Sequence, residues 1–238
     1  MSGHSKWATT KRAKAVTDAK RASQFTRLAA AITIAAREKG GNPDTNFSLR
    51  LAIEKARDGN MPKDNIERAI KRGTGELGGA QLEEIMYEGY GPEGVALLIS
   101  TLTDNKNRTV SEIKHTLSKH GGNLGAANSV LWCFEKKAII GLSASSLTDE
   151  RELELIEYGA EDIQKNGDET TVVADASRLQ LLKEYLERQG VTSVFAEIDY
   201  LPKNTVALST EGNDKLERIF ETLDEQSDVT DYYSNRAQ

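Results

Sequence analysis

The chain has 238 residues, of which 38% are hydrophobic and 29% charged, and its formal net charge is −6. This composition and length are typical of a globular protein with two or three modest cores, and they exclude an intrinsically disordered protein. No apolar run approaches the roughly 20 residues that a membrane span needs, and the basic start lacks the apolar segment of a secretory signal. We therefore expect a cytoplasmic protein without a membrane partner.

The charges are divided unevenly along the sequence. Residues 1–77 contain 16 Lys and Arg against 8 Asp and Glu, whereas residues 78–238 contain 15 against 29. Folding gives no reason for this division, but binding to a polyanion does, because Lys and Arg displace condensed counterions from phosphates. The distribution predicts that the N-terminal third contacts a nucleic acid.

The segment 1–22 reads as a basic arm with too few apolar side chains to bury a face of its own. In the predicted contact, cations neutralise phosphates while an aromatic ring stacks on a base or wedges between bases. The predicted nucleic-acid-binding residues are Lys6, Trp7, Lys11, Arg12, Lys14, Lys20, Arg21 and Arg27. Two alternatives stay open: Trp7 packs back on the helical region beside a solvated lysine face, or the arm is a mitochondrial transit peptide.

Three short amphipathic helices are predicted after the arm, because apolar residues recur at helical spacing. They cover about 25–39, 49–58 and 62–73. Four glycines among residues 73–80 then predict a linker.

The remainder of the chain mixes strands and helices, with apolar alternation and turn residues marking each element. The predicted strands are Ile85–Tyr90, Val95–Leu102, Val130–Phe134, Ala138–Leu142, 170–174, 194–200 and 229–233. The predicted helices are 108–120, 149–158, 177–189 and 213–223. Because the last helix and strand are too few to fold alone, we expect them to return to the hairpin at 85–102.

These elements predict an α+β fold with three domains. The first is an all-α domain over 1–77 with the arm. The second is a discontinuous α+β domain made of 78–129 and 203–238. The third is an inserted α+β domain over 130–202.

No motif nominates a catalytic residue, a metal site or a cofactor. Gly73-Gly75-Gly78 and Gly89-Gly91-Gly94 match the spacing of a dinucleotide loop, but neither follows a strand and opens a helix. His115 and His120 would point about 140° apart on a helix, which spoils a shared metal site. The single cysteine, Cys133, reads as a small buried hydrophobe.

A second cluster, Asp104–Thr109, joins a predicted strand to its helix. Free N–H groups at the helix start, together with two cations, predict a secondary anion site. Its residues are Asn105, Lys106, Asn107 and Arg108. Helix capping alone, by Asn107 or Thr109, is the alternative.

Several longer motifs carry a family resemblance along nearly the whole chain. They are Gly3-His4-Ser5-Lys6-Trp7, residues 60–70, Tyr87-Glu88-Gly89-Tyr90-Gly91-Pro92, Asp104–Thr109 and Gly121-Gly122-Asn123-Leu124-Gly125. With these motifs the chain closely resembles the YebC family of bacterial proteins, whose mitochondrial relatives act as translational activators. The resemblance implies a three-domain fold, no enzyme activity and a role in DNA-binding transcriptional regulation.

Three functions are compatible with these sequence features. We expect a non-enzymatic, monomeric, nucleic-acid-binding regulator, with DNA as its target. The alternative is a ribosome-associated, RNA-binding translation factor. A small-molecule or catalytic module on the α+β domains is the third hypothesis, and it would need a pocket with convergent polar groups.

Overall fold

The structure is a computed structural model that describes residues 18–78 and 82–237, with side chains from Gln24 onwards. Within these ranges the chain has the expected α+β fold, built from helices and two four-stranded sheets. The helices are α1 (Asp18–Lys39), α2 (Phe47–Asp58), α3 (Lys63–Gly73), α4 (Lys106–Lys119), α5 (Asp149–Glu157), α6 (Leu179–Arg188) and α7 (Thr210–Glu225). The strands are β1 (Glu83–Tyr90), β2 (Ala96–Thr103), β3 (Asn123–Leu124), β4 (Phe134–Ser143), β5 (Ala160–Asn166), β6 (Glu169–Asp175), β7 (Phe195–Pro202) and β8 (Val229–Ser234).

Helices α1, α2 and α3 form a bundle around one apolar core, as the predicted stripes require. Each helix contributes a buried stripe, with Ile32 from α1, Leu49 and Ile53 from α2, and Ile66 from α3. The bundle is tight where α3 ends, because a Cβ on Gly73 would lie 2.5 Å from the carbonyl oxygen of Thr33. Glycine at this position therefore lets α3 approach α1 closely.

Asn46 fixes the connection between α1 and α2 and is completely buried. Its Oδ1 accepts a hydrogen bond from the N–H of Leu49 at 3.0 Å and so caps α2. Its Nδ2 donates to the carbonyls of Ala35 and Gly40, each at 2.8 Å. One side chain thus satisfies both ends of the turn.

The first sheet has the order β3-β1-β2-β8. β1 and β2 form an antiparallel hairpin, and β8 pairs antiparallel with β2 from the other side. The C-terminal strand β8 is therefore part of this sheet, and α7 packs its apolar residues into the same core. Val95, Leu97 and Ile99 share one core with apolar residues of α4 and α7.

The second sheet has the order β5-β6-β4-β7. β6 pairs antiparallel with β4 and with β5. Ile139, Val173 and Leu201 form a buried cluster with Phe195 packed against it. A Cβ on Gly141 would lie 2.0 Å from the ring of Phe195, so glycine there makes room for that ring.

The strand prediction is wrong in three places. Leu131–Cys133 form a 3-10 turn instead of a strand, because the N–H groups of Val130 and Leu131 donate to the carboxylate of Glu88. β4 then runs through residues 135–137, which were predicted as the turn between two strands. Strand β5 was not predicted at all, since Ile163 is the only large apolar residue in it.

By their contacts, the described residues divide into two compact units. Residues 135–201 form one unit, and the second joins the described chain before residue 135 to residues 202–237. The three-domain division, which separates the bundle over 1–77 from the first sheet, remains a proposal.

We predict that Asn46→Ala destabilises the bundle by about 1–3 kcal/mol, because it removes the cap and leaves buried carbonyls without donors. Hydrogen exchange of the α2 amides measures this loss as faster exchange. Thr45→Ala is the matched control, since Thr45 is exposed and should change stability by no more than about 0.5 kcal/mol. Equal protection of α2 in both variants would contradict the role given to Asn46.

Candidate nucleic-acid interface

Most of the predicted nucleic-acid-binding side chains belong to the arm. Five of them lie outside the described residues: Lys6, Trp7, Lys11, Arg12 and Lys14. Lys20 and Arg21 lie in the first turn of α1, where only the backbone is described. All seven remain predicted contacts.

Arg27, the eighth predicted residue, is engaged within the protein. Its Nη2 donates to Oδ1 of Asp224 at 2.8 Å, and its guanidinium lies 5.5 Å from the centre of the Tyr232 ring. Tyr232 donates to the same Asp224 oxygen at 2.9 Å, and burial, reinforced by that carboxylate, raises the pKa of Tyr232. Arg27 therefore joins α1 to α7 and β8, and it would have to release Asp224 to reach a phosphate.

A second cation of α1 makes a similar link. Arg37 donates to the carbonyl of Leu82, and its Nη2 lies 3.9 Å from Oε2 of Glu84 at the start of β1. Both arginines of α1 thus contact residues outside the bundle: Arg27 contacts α7 and β8, and Arg37 contacts the start of β1. Their positive charge is partly balanced inside the protein.

The cluster at Asp104–Thr109 has the geometry of a capped and ion-paired helix start. α4 begins at Lys106, and Oδ1 of Asn105 accepts the N–H of Arg108 at 3.1 Å. The expectation that Asn107 or Thr109 caps this helix is therefore wrong, because the helix begins two residues before the predicted start.

Both cations of the predicted anion site have carboxylate partners. Nζ of Lys106 lies 2.6 Å from Oε2 of Glu83. Nη2 of Arg108 lies 3.1 Å from Asp104 and 2.8 Å from Asp228. Asn105 is used as the cap and Asn107 is exposed. This arrangement favours the capping alternative over anion binding at Asn105, Lys106, Asn107 and Arg108.

Asp228 is the buried centre of this cluster. Its Oδ2 accepts from the hydroxyls of Thr103 at 3.0 Å and Thr109 at 2.7 Å, and Arg108 donates to both of its oxygens. Burial alone would raise the pKa of Asp228, but the hydrogen bonds from Thr109, Arg108 and Thr103 outweigh it and hold the pKa below its ordinary value. The cluster therefore holds the start of β8 against β2 and α4.

An exposed cationic face on the bundle was not predicted as a site. It consists of Arg68, Lys71 and Arg72 on α3, and we call it the bundle face. All three residues are exposed, and their side chains have no hydrogen-bond or ion-pair partner in the part of the chain that the structure describes. On α3 the buried stripe of Ile66 and Ala69 turns positions 68, 71 and 72 outward. The sequence contains a signal for this face, because the cations at 68, 71 and 72 recur at helical spacing on the side of α3 opposite its apolar stripe.

The described residues show neither a metal cluster nor a membrane span. Over 18–78 and 82–237, no three His, Cys, Asp or Glu side chains are grouped so that they could hold a metal ion. Among the helices of those same ranges, none is both long and apolar enough to cross a bilayer.

The comparisons with known proteins agree on one family. The domain family described as "TACO1/YebC protein N-terminal domain" matches residues 5–76, and "TACO1/YebC second and third domain" matches residues 82–236. A protein of Thermoanaerobacter pseudethanolicus named "probable transcriptional regulatory protein" is 49% identical over 99% of this chain and 96% of its own length. One of Caldanaerobacter subterraneus, with the same name, is 48% identical over 99% of this chain and 98% of its own.

A solved structure has the same fold. The crystal structure of a conserved hypothetical protein from Aquifex aeolicus matches with a TM-score of 0.84 and 44% identity, covering 98% of this chain and 96% of that one. The fold and the matched sequences thus define a class of α+β proteins with a basic helical N-terminal region. The relatives in this class are named as probable regulators. The chain belongs to the TACO1/YebC family.

We predict that Asp228→Asn destabilises the protein by about 1–3 kcal/mol at neutral pH, because the amide cannot accept from Thr103, Thr109 and Arg108 together. The folded pKa of Asp228 is lowered, so its contribution is present above the unfolded pKa of about 3.9 and is lost as the pH falls through the folded pKa. The difference in unfolding free energy between wild type and variant should therefore shrink in acid.

Denaturant unfolding at neutral and acidic pH measures this difference. Glu225→Gln is the matched control, because Glu225 is an exposed carboxylate near the end of α7. A difference for Asp228→Asn that does not change with pH would contradict the account.

Proposed function

We propose that this chain is a non-enzymatic nucleic-acid-binding regulator, a DNA-binding transcriptional regulator that acts through its basic N-terminal helical region. The division of charge carries the proposal. Residues 1–77 have twice as many cations as carboxylates, whereas the rest has about half as many cations as carboxylates. A polyanion is therefore attracted to one end of the sequence and repelled by the other.

The names of the relatives support the same role. The two bacterial proteins above are called probable transcriptional regulatory proteins, and each aligns with this chain along nearly its full length. We extend that role to this chain, and we infer that it is exercised by binding and without catalysis.

The bundle face supports the proposal from the described structure. Arg27 and Arg37 are engaged with carboxylates, but the three cations of the bundle face have no described partner and are open to solvent. Their side chains can reach phosphates without breaking an ion pair. The arm and the bundle face together would supply contacts that depend on charge and salt and little on base sequence.

We predict that changing Lys11, Arg12 and Lys14 together to Ala weakens binding to duplexes of any sequence, because three phosphate contacts are lost. The slope of log K against log salt should become shallower by roughly 0.9 for each lost contact. Gel-shift titrations at several salt concentrations measure both quantities. Lys114, Lys119 and Arg188 changed together to Ala are the matched control, since they remove the same charge from the acidic part of the chain.

An unchanged slope in the arm variant would remove the arm from the interface. If the control variant loses as much affinity as the arm variant, net charge alone decides binding.

We predict that changing Arg68, Lys71 and Arg72 together to Ala also weakens binding and flattens the salt slope by a comparable amount. The variant should fold normally, because all three positions are exposed and Ala favours a helix. The same titration tests this, with circular dichroism to verify the helices. Wild-type affinity in a folded variant would restrict the interface to the arm.

The polymer itself is identified by crosslinking in cells, followed by sequencing of the bound DNA and RNA. Recovery of DNA fragments supports the proposed function. Recovery of ribosomal RNA alone would replace it with the alternative, an RNA-binding translation factor. A truncated chain that starts near residue 78 and keeps full affinity for its nucleic acid would contradict both the DNA-binding proposal and the RNA-binding alternative.

A further inference from the structure

Trp132 is an exposed aromatic residue in a part of the chain remote in sequence from the arm. Its side chain is 67% exposed, the highest fraction among the large hydrophobic residues of the described ranges. The indole Nε1 donates to the carbonyl of Ser129 at 2.9 Å. The polar group of the ring is therefore satisfied, and its faces are left for another partner.

The segment that carries Trp132 is fixed by the buried carboxylate of Glu88. That carboxylate accepts the N–H groups of Asn128 at 2.5 Å, Val130 at 2.7 Å and Leu131 at 2.8 Å. Burial would raise the pKa of Glu88, but these backbone hydrogen bonds lower it below its ordinary value, so the carboxylate is charged at neutral pH. Trp132 is thus presented on a rigid turn, which reduces the entropy lost when a partner binds.

A recess beside Trp132 offers hydrogen-bond donors. It is lined by Trp132, Cys133, Lys203, Asn204 and Asn235. The N–H of Lys203 donates to the carbonyl of Cys133 at 2.8 Å, which holds the two segments together. None of the lining residues is a carboxylate, although the chain from residue 78 onwards is strongly acidic.

Asn235 supplies a donor from the wall of this recess. The residue is only 7% exposed, and its Oδ1 accepts the N–H of Ala96 at 2.7 Å. With the oxygen fixed in this way, the amide nitrogen has no partner among the described residues. A nearly buried side chain whose N–H₂ group is still accessible from the recess suits a ligand with an acceptor.

These features together match the chemistry of an unpaired nucleotide. An exposed indole stacks on the face of a base, the amide of Asn235 donates to acceptors on the base edge, and the ammonium of Lys203 attracts a phosphate. Bases inside a duplex are already stacked and do not offer a face, so the recess should discriminate between single and double strands.

We propose that Trp132, Lys203 and Asn235 form a binding site for one unpaired nucleotide of a single-stranded nucleic acid. The inference rests on the proposed function, since it adds a base-stacking contact to a chain that binds phosphates elsewhere. It assigns a task to the acidic part of the protein, which the division of charge alone would exclude from the interface.

The two tryptophans of the chain, Trp7 and Trp132, allow a direct test. In full-length Trp7→Phe the emission reports Trp132 alone, and in Trp132→Phe it reports Trp7 alone. Each variant is titrated with a short oligouridylate, with the matching oligothymidylate and with a duplex of the same length. We expect both single strands to quench Trp132 and the duplex to leave it nearly unchanged.

Affinity provides the second readout. Trp132→Ala should lose about 5- to 100-fold in affinity for the single strands, the range for one stacked base, and keep its affinity for the duplex. Trp132→Phe should keep most of the affinity, because phenylalanine still stacks. Leu153→Ala, which removes another exposed hydrophobic side chain, is the matched control and should bind as wild type.

The outcomes separate this proposal from the proposed function. Binding of nucleic acid with unchanged Trp132 emission and unchanged affinity in Trp132→Ala would overturn the nucleotide site and leave the proposed function intact. Quenching by duplex as strong as by single strands would also overturn it. If the intact chain binds none of the three polymers, both the nucleotide site and the proposed function are overturned.

Discussion

The first sheet depends on the buried carboxylate of Asp228. This side chain joins the end of β2, through Thr103, to the start of α4, through Arg108 and Thr109, while its own carbonyl accepts the N–H of Leu102 at 2.8 Å. Its partners are remote in sequence, and residues 135–201 lie between them. That intervening segment forms its own unit, and the hydrogen bond from the N–H of Lys203 to the carbonyl of Cys133 joins the two stretches of chain that flank it. Pairing β8 with β2 therefore costs less chain entropy than the sequence separation suggests.

Elements with a strong apolar pattern could be predicted from the sequence, and elements made by polar or remote interactions could not. The stripes of Leu49, Ile53 and Ile66 are buried as the helical spacing required. Strand β5 has no such stripe, because it is an edge strand that pairs with β6 through its backbone. The turn at Gly167 and Asp168, a two-residue hairpin connection, was the available signal for it.

The apolar run at Val130–Phe134 was misread for the opposite reason. Its hydrophobicity suggested a strand, but its backbone N–H groups bind Glu88 instead of a neighbouring strand. The motif around Glu88 can be recognised in the sequence, but its contact with a segment some forty residues away cannot be predicted from it. The same applies to the candidate site, because the charge count identifies a basic region but cannot show that Arg27 and Arg108 are held by Asp224 and Asp228. Ion pairing of a cation is a property of the folded chain.

Affinity for a nucleic acid and discrimination between paired and unpaired bases come from different kinds of residue. In the proposed function the two kinds lie on different surfaces of the protein. Lys and Arg side chains respond to phosphate charge, which is the same for every sequence and for both sugars. An aromatic face responds to whether a base is free to stack. In a chain whose larger part repels polyanions, an aromatic contact can operate only where no carboxylate lines the surface, and the recess at Trp132 and Asn235 satisfies that condition. Glu88 fixes the turn that presents Trp132, so in the proposed nucleotide site the buried charge of the first sheet would determine where such discrimination occurs.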